Sequence, residues 1–268
     1  MDLTELRKEI DAIDDKIVAL INDRCKLASK VGEWKKKRAH AIYVPEREKQ
    51  LFERLHAKNE GPISSSALRS IYREIISGAI ALEQPLKIIC LDSQENSPKA
   101  ARETFGDAAE YIRSNSIASL METLVSEDID YGVIPLADKS ENYSEEALIE
   151  LVKHKDIKIC AERIGSMDKT GGRYFIIGRQ ETTPSAEDRT AVCIQLNTPS
   201  ANWQEEIKSL LENVEIPSAI ELAKGESQTV FMELTGHPTE ESIIQLLETL
   251  SAKIGKLQVL GGYPVLYA

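Results

Sequence analysis

The 268-residue sequence has only four cysteines, four histidines and no long apolar run, and each scarcity removes a class of function. Cys25, Cys90, Cys160 and Cys193 are widely spaced and fit neither a disulfide framework nor a ligand pattern. His40, His56, His154 and His237 are equally scattered, so no metal site is expected. No stretch reaches membrane length, and the chain opens on a charged helix with no signal peptide, which points to a cytoplasmic protein. A net charge of −11 argues against nucleic acid or an anionic membrane as main partner. A small anionic substrate is compatible with that charge, because local cations can outweigh the global sign. Hydrophobic content of 42% and charged content of 29% are ordinary for a globular chain of two or three domains.

What the sequence does have is a long amphipathic helix with cations on its apolar face. From Leu6 the stripe runs through Ile10, Ile13, Ile17, Leu20, Arg24, Leu27, Val31 and Lys35, in steps of three or four. Arg24 and Lys35 stand where the spacing calls for aliphatic side chains, about three turns apart. Unpaired buried charge is costly. Two such cations in register therefore call for intrahelical ion pairs, fixed anionic partners or an anionic ligand.

Residues 1 to 84 read as helical throughout. Asp2 and Glu5 have capping-box spacing, and the first helix is predicted to reach Arg38. Pro45 opens a second helix with Leu51, Phe52 and Leu55. A third carries Leu68, Ile71, Ile75, Ala79 and Leu82 and stops at Pro85. Two short helices cannot cover so long a stripe, so an intertwined homodimer, or a larger homo-oligomer built on it, is expected. From Leu86, β-rich runs at 86–91, 131–136, 157–164 and 173–178 alternate with helices near 98–105, 116–127 and 144–155. That alternation predicts a small α/β domain, with a further strand near 109–115. Residues 180–188 read as a linker. Beyond them the order is strand (190–196), helix (203–211), strands (216–223 and 228–234), helix (240–251) and strand (256–260), a ferredoxin-like βαββαβ unit. The expected domains are 1–85, 86–180 and 189–268.

Further polar residues gather on the helical third. Arg47 and Glu48 open the second helix, Glu83 lies one turn beyond Ala79, and Arg7 borders the start of the first stripe. In an antiparallel dimer Arg7 would reach the partner's pocket. With Arg24 and Lys35 these residues would frame a mostly cationic cavity suited to a small dicarboxylate. The segments Leu6-Arg-Lys-Glu-Ile-Asp-Ala-Ile-Asp14, Asp23-Arg24, Lys35, Tyr43-Val-Pro-Glu-Arg47-Glu48, Ile71-Tyr-Arg-Glu-Ile-Ile-Ser77 and Ala81-Leu-Glu83 resemble the all-helical chorismate mutases over residues 1–85.

The resemblance implies conversion of chorismate to prephenate in aromatic amino acid biosynthesis, an intramolecular 3,3-rearrangement that needs no cofactor. It implies that Arg24 and the partner's Arg7 bind the substrate carboxylates and that Lys35 and Glu83 contact the ether oxygen. Glu48 would hold the ring hydroxyl, with Arg47 in support. Val44 and Ala79 stand where the family often has aspartate and sometimes serine. Charge grows on the ether oxygen in the transition state, and Lys35 can stabilise it as a cation. Glu83 can do so only when protonated. Activity is therefore expected to fall toward alkaline pH, and Glu83→Gln to flatten that fall.

The remaining two thirds resemble the later parts of bifunctional chorismate mutase–prephenate dehydratases, with losses. Gly132-Val-Ile-Pro-Leu-Ala-Asp138-Lys139 stands for a Val-Pro-Ile-Glu-Asn-Ser motif, and Gly172-Arg173-Tyr-Phe for a Thr-Arg-Phe motif. The motif's threonine is Gly172, and only residues 165–172 remain where a second lobe belongs. The resemblance thus implies an inactive dehydratase remnant. Leu260-Gly-Gly-Tyr-Pro264 resembles the end of a phenylalanine-sensing ACT domain, whose effector loop here reads Pro199-Ser-Ala-Asn202. A loop without its glycine leaves two readings, a dimerising sheet or a site for an amino-acid effector. The rivals to the mutase reading are a protein that keeps both activities and a sensor or scaffold with a silent mutase.

Overall fold

A computed structural model of the chain describes every residue except 1, 39–40, 93–95, 127, 139, 141, 166–170, 212–214, 224–227 and 268. Three helices come first: α1 (Leu3–Lys36), α2 (Pro45–Lys58) and α3 (Ser65–Ala81). α1 is held open at its start by the Asp2/Glu5 capping box and closes with Lys35 and Lys36 against its negative end. Its 34 residues span about 51 Å. Pro45 sits in the first turn of α2, and the Ser64 hydroxyl caps α3 by accepting from Ala67 N.

The rest of the chain builds one nine-stranded sheet. In chain order its elements are β1 (Lys87–Leu91), α4 (Asn96–Phe105), β2 (Glu110–Ser114), α5 (Ile117–Ser126), β3 (Tyr131–Ala137), α6 (Glu145–Lys153), β4 (Lys158–Ile164) and β5 (Arg173–Gly178). Then follow β6 (Asp188–Leu196), α7 (Trp203–Leu210), β7 (Ser218–Ala223), β8 (Thr229–Thr235), α8 (Glu241–Lys253) and β9 (Gly255–Tyr267). The strand order is β2-β1-β3-β5-β4-β9-β6-β8-β7. β1, β2 and β3 are parallel, and β3 is buried along its whole length, as a strand covered on both faces must be. The last four strands in that order are antiparallel and carry the βαββαβ connection predicted from the sequence.

Two features depart from the sequence reading. The final strand, expected over 256–260, continues to Tyr267. It pairs with β6 up to Pro264 and then with β4 through Val265, Leu266 and Tyr267, so it joins the two sheet regions. The segment 180–188, expected as a linker, is pinned to the helices: Thr183 N donates to buried Glu46, and Lys49 pairs with Glu187 at 3.1 Å. An aromatic triad of Tyr43, Phe105 and Tyr131, with centroids 4.9–5.5 Å apart, packs the entry to α2 onto the sheet layer.

The second-lobe position is closed. β4 and β5 pair antiparallel as far as Ile164 opposite Arg173, and Gly165 N donates to Gly172 O at 3.0 Å. Eight residues therefore join two strands of one hairpin, too few for a lobe.

Candidate active site

Each helix contributes one wall of a cavity of about 410 Å³. From α1 come Arg24, Leu27, Ala28, Val31, Gly32 and Lys35, because they share the apolar stripe. The second wall is Arg47, Glu48, Leu51 and Arg54 of α2 with Val44 just before it, and the third is Ile76, Ala79 and Ile80 of α3 with Glu83 just after it. Seven of the eight expected substrate-binding residues thus line one space. The eighth, Arg7, lies on the exposed first turns of α1 and does not.

Its charges are unevenly satisfied. Arg24 and Arg47 have no hydrogen bond or ion pair among the described residues. Lys35 is half-buried, and its Nζ donates to Ile42 O at 2.9 Å. Burial pulls its ammonium below the ordinary 10.5, while Glu83 and Glu46 oppose the shift. The Glu83 carboxylate lies directly against the backbone of Gly32, where any Cβ would collide with it. That close approach explains a glycine inside α1, where the residue costs about 1 kcal/mol of helix stability. Glu83 Oε2 has no hydrogen-bond partner, and the Lys36 ammonium stands 3.5 Å away.

Glu48 differs from expectation. Its two oxygens accept a bidentate pair from Arg73 of α3, and both residues are buried. Burial opposes the charge on Arg73, and Glu48 overcomes it. The carboxylate that was to hold a ligand hydroxyl is therefore already fixed and neutralised, with only spare lone pairs to offer. Sequence reasoning missed Arg73 as a site residue. It also missed Arg54, although the spacing 47, 51, 54 places it on the face of Arg47.

Among the described residues the dehydratase-like positions form no comparable site. Asp138 is exposed and caps its own loop, accepting from Ser140 N at 2.7 Å and from Asn142. Lys139 lies outside the described residues. Gly172 has φ +75°, and a Cβ there would meet Ala137 O at 2.6 Å, so a threonine does not fit this backbone. Gly172→Thr is expected to destabilise the chain by about 1–3 kcal/mol and to restore no dehydratase activity, as urea unfolding and a phenylpyruvate assay will show. Arg173 is consumed by a buried network with Glu162, Glu233 and Tyr143.

A three-helix unit with a cationic cavity, set on a sheet of mixed α/β and ferredoxin-like topology, defines the class of protein. Residues 6–84 match the family described as chorismate mutase type II. The chain therefore carries a type II chorismate mutase domain, followed by a fold like that of prephenate dehydratase. It is 38% identical over 169 residues to the bifunctional chorismate mutase/prephenate dehydratase of Aquifex aeolicus, covering 60% of this chain and 46% of the relative. The chain thus spans about half the length of that relative. A protein of the same description from Stutzerimonas stutzeri is 22% identical over 356 aligned positions, covering 98% of this chain and 97% of that one. That alignment exceeds the 268 residues present here, so the relative carries segments this chain lacks. The prephenate dehydratase of Streptococcus mutans superposes with a TM-score of 0.57 at 18% identity, over 69% of this chain and all of that one.

Among the described residues no group of three His, Cys, Asp or Glu side chains comes together as a metal site would require. Among them, too, no helix is long and apolar enough to cross a membrane.

Proposed function

We propose that the chain is a chorismate mutase, converting chorismate to prephenate in the cavity between α1, α2 and α3, and that its dehydratase-like part is inactive. The observation that carries the reading is the convergence of Arg24, Lys35, Arg47, Arg54, Glu48 and Glu83 on one space. The reaction breaks an ether bond and forms a carbon–carbon bond within one molecule, so the protein has to select a compact conformer and stabilise charge. Arg24 and the partner's Arg7 take the two carboxylates, supported by Arg47, which like Arg24 has no hydrogen bond or ion pair among the described residues. Lys35 meets the ether oxygen as charge builds on it. Glu83, against Gly32, borders the opposite side of that oxygen and donates to it only in its protonated form.

The cavity is completed by a second copy of the chain. Leu6, Ile10, Ile13, Ile17 and Leu20 of the α1 stripe are 42–69% exposed in the single chain, an apolar face far longer than a monomer tolerates. A second α1 laid antiparallel covers it and delivers the partner's Arg7 to the pocket. The ferredoxin-like unit is read as an ACT-like domain. Its loop at 199–202 is tied down, with Ser200 N donating to Gln228 Oε1 at 2.8 Å, which favours a structural sheet over an effector site.

The test is chorismate consumption by purified protein, with product analysis before and after acid. Phenylpyruvate that appears only after acid supports a mutase without dehydratase. Its appearance at neutral pH contradicts the dehydratase part, and no consumption contradicts the whole. The pH profile discriminates further. Because Lys35 is pulled below 10.5, its cation is lost early on the alkaline side, and activity is expected to fall there before an ordinary lysine would titrate. Lys35→Arg, which does not titrate in this range, should flatten that limb. If Glu83→Gln flattens it instead, the proton on Glu83 is the controlling one.

A further inference from the structure

A second cavity, of about 720 Å³, opens on the other side of α3, between that helix, α4 and the end of β4. Arg69 and Arg73 reach it from α3, Arg102 from α4 and Arg163 from β4, with Tyr267 of β9 at the rim. Nothing in the mutase reading uses it.

Its arginines are under-satisfied. Arg163 is 4% exposed, and its Nε has no partner. Its one carboxylate, Glu103, stands 3.4 Å from Nη2, a long contact for a charged pair. Arg73 is 6% exposed, gives both terminal nitrogens to Glu48 and leaves its Nε unmet. Among the described residues Arg69 makes no ion pair: it donates to Tyr267 O at 2.9 Å and lies over the Phe52 ring. Arg102 is already paired with Asp107 at 3.2 Å. Among the described residues Arg69, Arg73 and Arg163 have two carboxylates in direct contact, Glu48 and Glu103, while Glu74, which also lines the cleft and favours the charge on Arg73, accepts from Asp107 N at 3.0 Å. Burial, and next the repulsion from Arg73, lower the charge affinity of both Arg69 and Arg163. The opening for an anion lies between Arg163, buried with its Nε unmet and a single long carboxylate contact, and Arg69, which makes no ion pair among the described residues.

We infer that this cleft binds a small organic carboxylate between Arg69 and Arg163, and that Arg73 reports its occupancy to the mutase cavity. The coupling rests on the mutase reading, whereas the binding site does not. Arg73 is the shared part: its guanidinium lines the cleft, while its partner Glu48 lines the cavity. An anion in the cleft competes with Glu48 for Arg73. Glu48 then faces the cavity with its charge less neutralised, beside a substrate that is itself a dianion. Chorismate binding weakens while the catalytic cations stay in place, so KM rises and kcat is retained. By linkage, a ligand in the mutase cavity loosens the cleft anion by the same factor.

The test uses the full-length protein with malonate as probe, and inorganic phosphate and chloride at matched ionic strength. Binding is measured by calorimetry and mutase KM and kcat by chorismate consumption, in the wild type, Arg69→Gln and Arg163→Gln. The expected result is malonate binding lost in both variants, and a KM that malonate raises about 5-fold or more in the wild type alone. Arg69 is only half-buried, so its variant keeps the test valid should Arg163→Gln fail to fold. Binding that persists in Arg69→Gln overturns the site. An equal rise of KM in wild type and Arg69→Gln means malonate competes in the mutase cavity, and overturns the coupling. Binding of phosphate without malonate overturns the carboxylate assignment. Cleft binding in a protein that does not consume chorismate upholds the site and sinks the mutase reading instead.

Discussion

Replacing Lys35 with alanine is expected to lower kcat for chorismate by about 10²–10³-fold, the usual loss when one preorganised donor to a developing oxyanion is removed. The geometry makes Lys35 the side chain with most to lose. It shares the cavity with Glu83, its ammonium is half-desolvated, and the desolvation makes each contact to a growing negative charge stronger than in water. The stability readout should move little. Because the folded pKa lies below 10.5, the unfolded chain holds this proton more tightly, so the charged lysine opposes folding at neutral pH. That opposition fades as pH rises through the interval between the two values. Its removal offsets the lost hydrogen bond to Ile42 O, worth about 1 kcal/mol. Turnover should thus collapse while the urea midpoint shifts by no more than about 1 kcal/mol in free energy. Equal loss of both would make Lys35 a structural residue, and unchanged kcat would place the site elsewhere. Arg24→Ala, by contrast, should act mainly on KM, since Arg24 serves the ground-state carboxylate as well as the transition state.

Why Lys35 could be read from the sequence and Arg73 could not is a matter of range. Arg24 and Lys35 break a period that is local to one helix, so α1 reveals them without any tertiary information. Arg54 was equally accessible, since it repeats the face of Arg47 within α2. Gly32 carried a weaker signal: a glycine inside a helix that something must approach, but nothing in α1 says that it is Glu83, 51 residues on. Arg73 is buried only because Glu48 of another helix meets it, a pairing between segments that no periodicity encodes. The sheet divides in the same way. The βαββαβ order was legible from alternating periods, and even the short β2 and β7 fall where runs at 109–115 and 216–223 place them. The reach of β9 to Tyr267 was not, because Gly261, Gly262 and Pro264 interrupt its strand signal. What carries β9 through them is pairing to β6 and then to β4, a tertiary override of local preference.

The largest stability effect should come from Arg173, the one residue of the dehydratase-like motif that is kept. Its guanidinium donates to Glu162 of β4, Glu233 of β8 and the Tyr143 hydroxyl. Both carboxylates have no solvent exposure; Arg189 meets Glu162 at 2.7 Å, and the hydroxyls of Tyr263, at 2.7 Å, and Ser218 donate to Glu233. Two acids and two arginines thus make a neutral knot across strands β4, β5, β6, β8 and β9. Arg173→Ala strands two buried carboxylates on one arginine, a loss of about 3–5 kcal/mol at neutral pH. The acid limb gives the check on cause. In the wild type burial raises the Glu162 carboxyl, whereas at Glu233 burial is outweighed by Arg173 together with the hydroxyls of Ser218 and Tyr263, which hold it low. The Glu233 contribution is present above its ordinary pKa and lost as pH falls through its lowered one, while protonation relieves Glu162. The two trends oppose each other in the wild type. In Arg173→Ala both carboxyls are free to protonate, and its deficit against the wild type should shrink as pH falls below neutrality. Urea unfolding of both proteins across that range measures it. A substrate-binding arginine would behave otherwise: its loss would leave stability within about 0.5 kcal/mol and abolish phenylpyruvate formation. A deficit of several kcal/mol that fades in acid assigns Arg173 to the fold, and explains why the motif's arginine remains in a chain whose threonine position has become glycine.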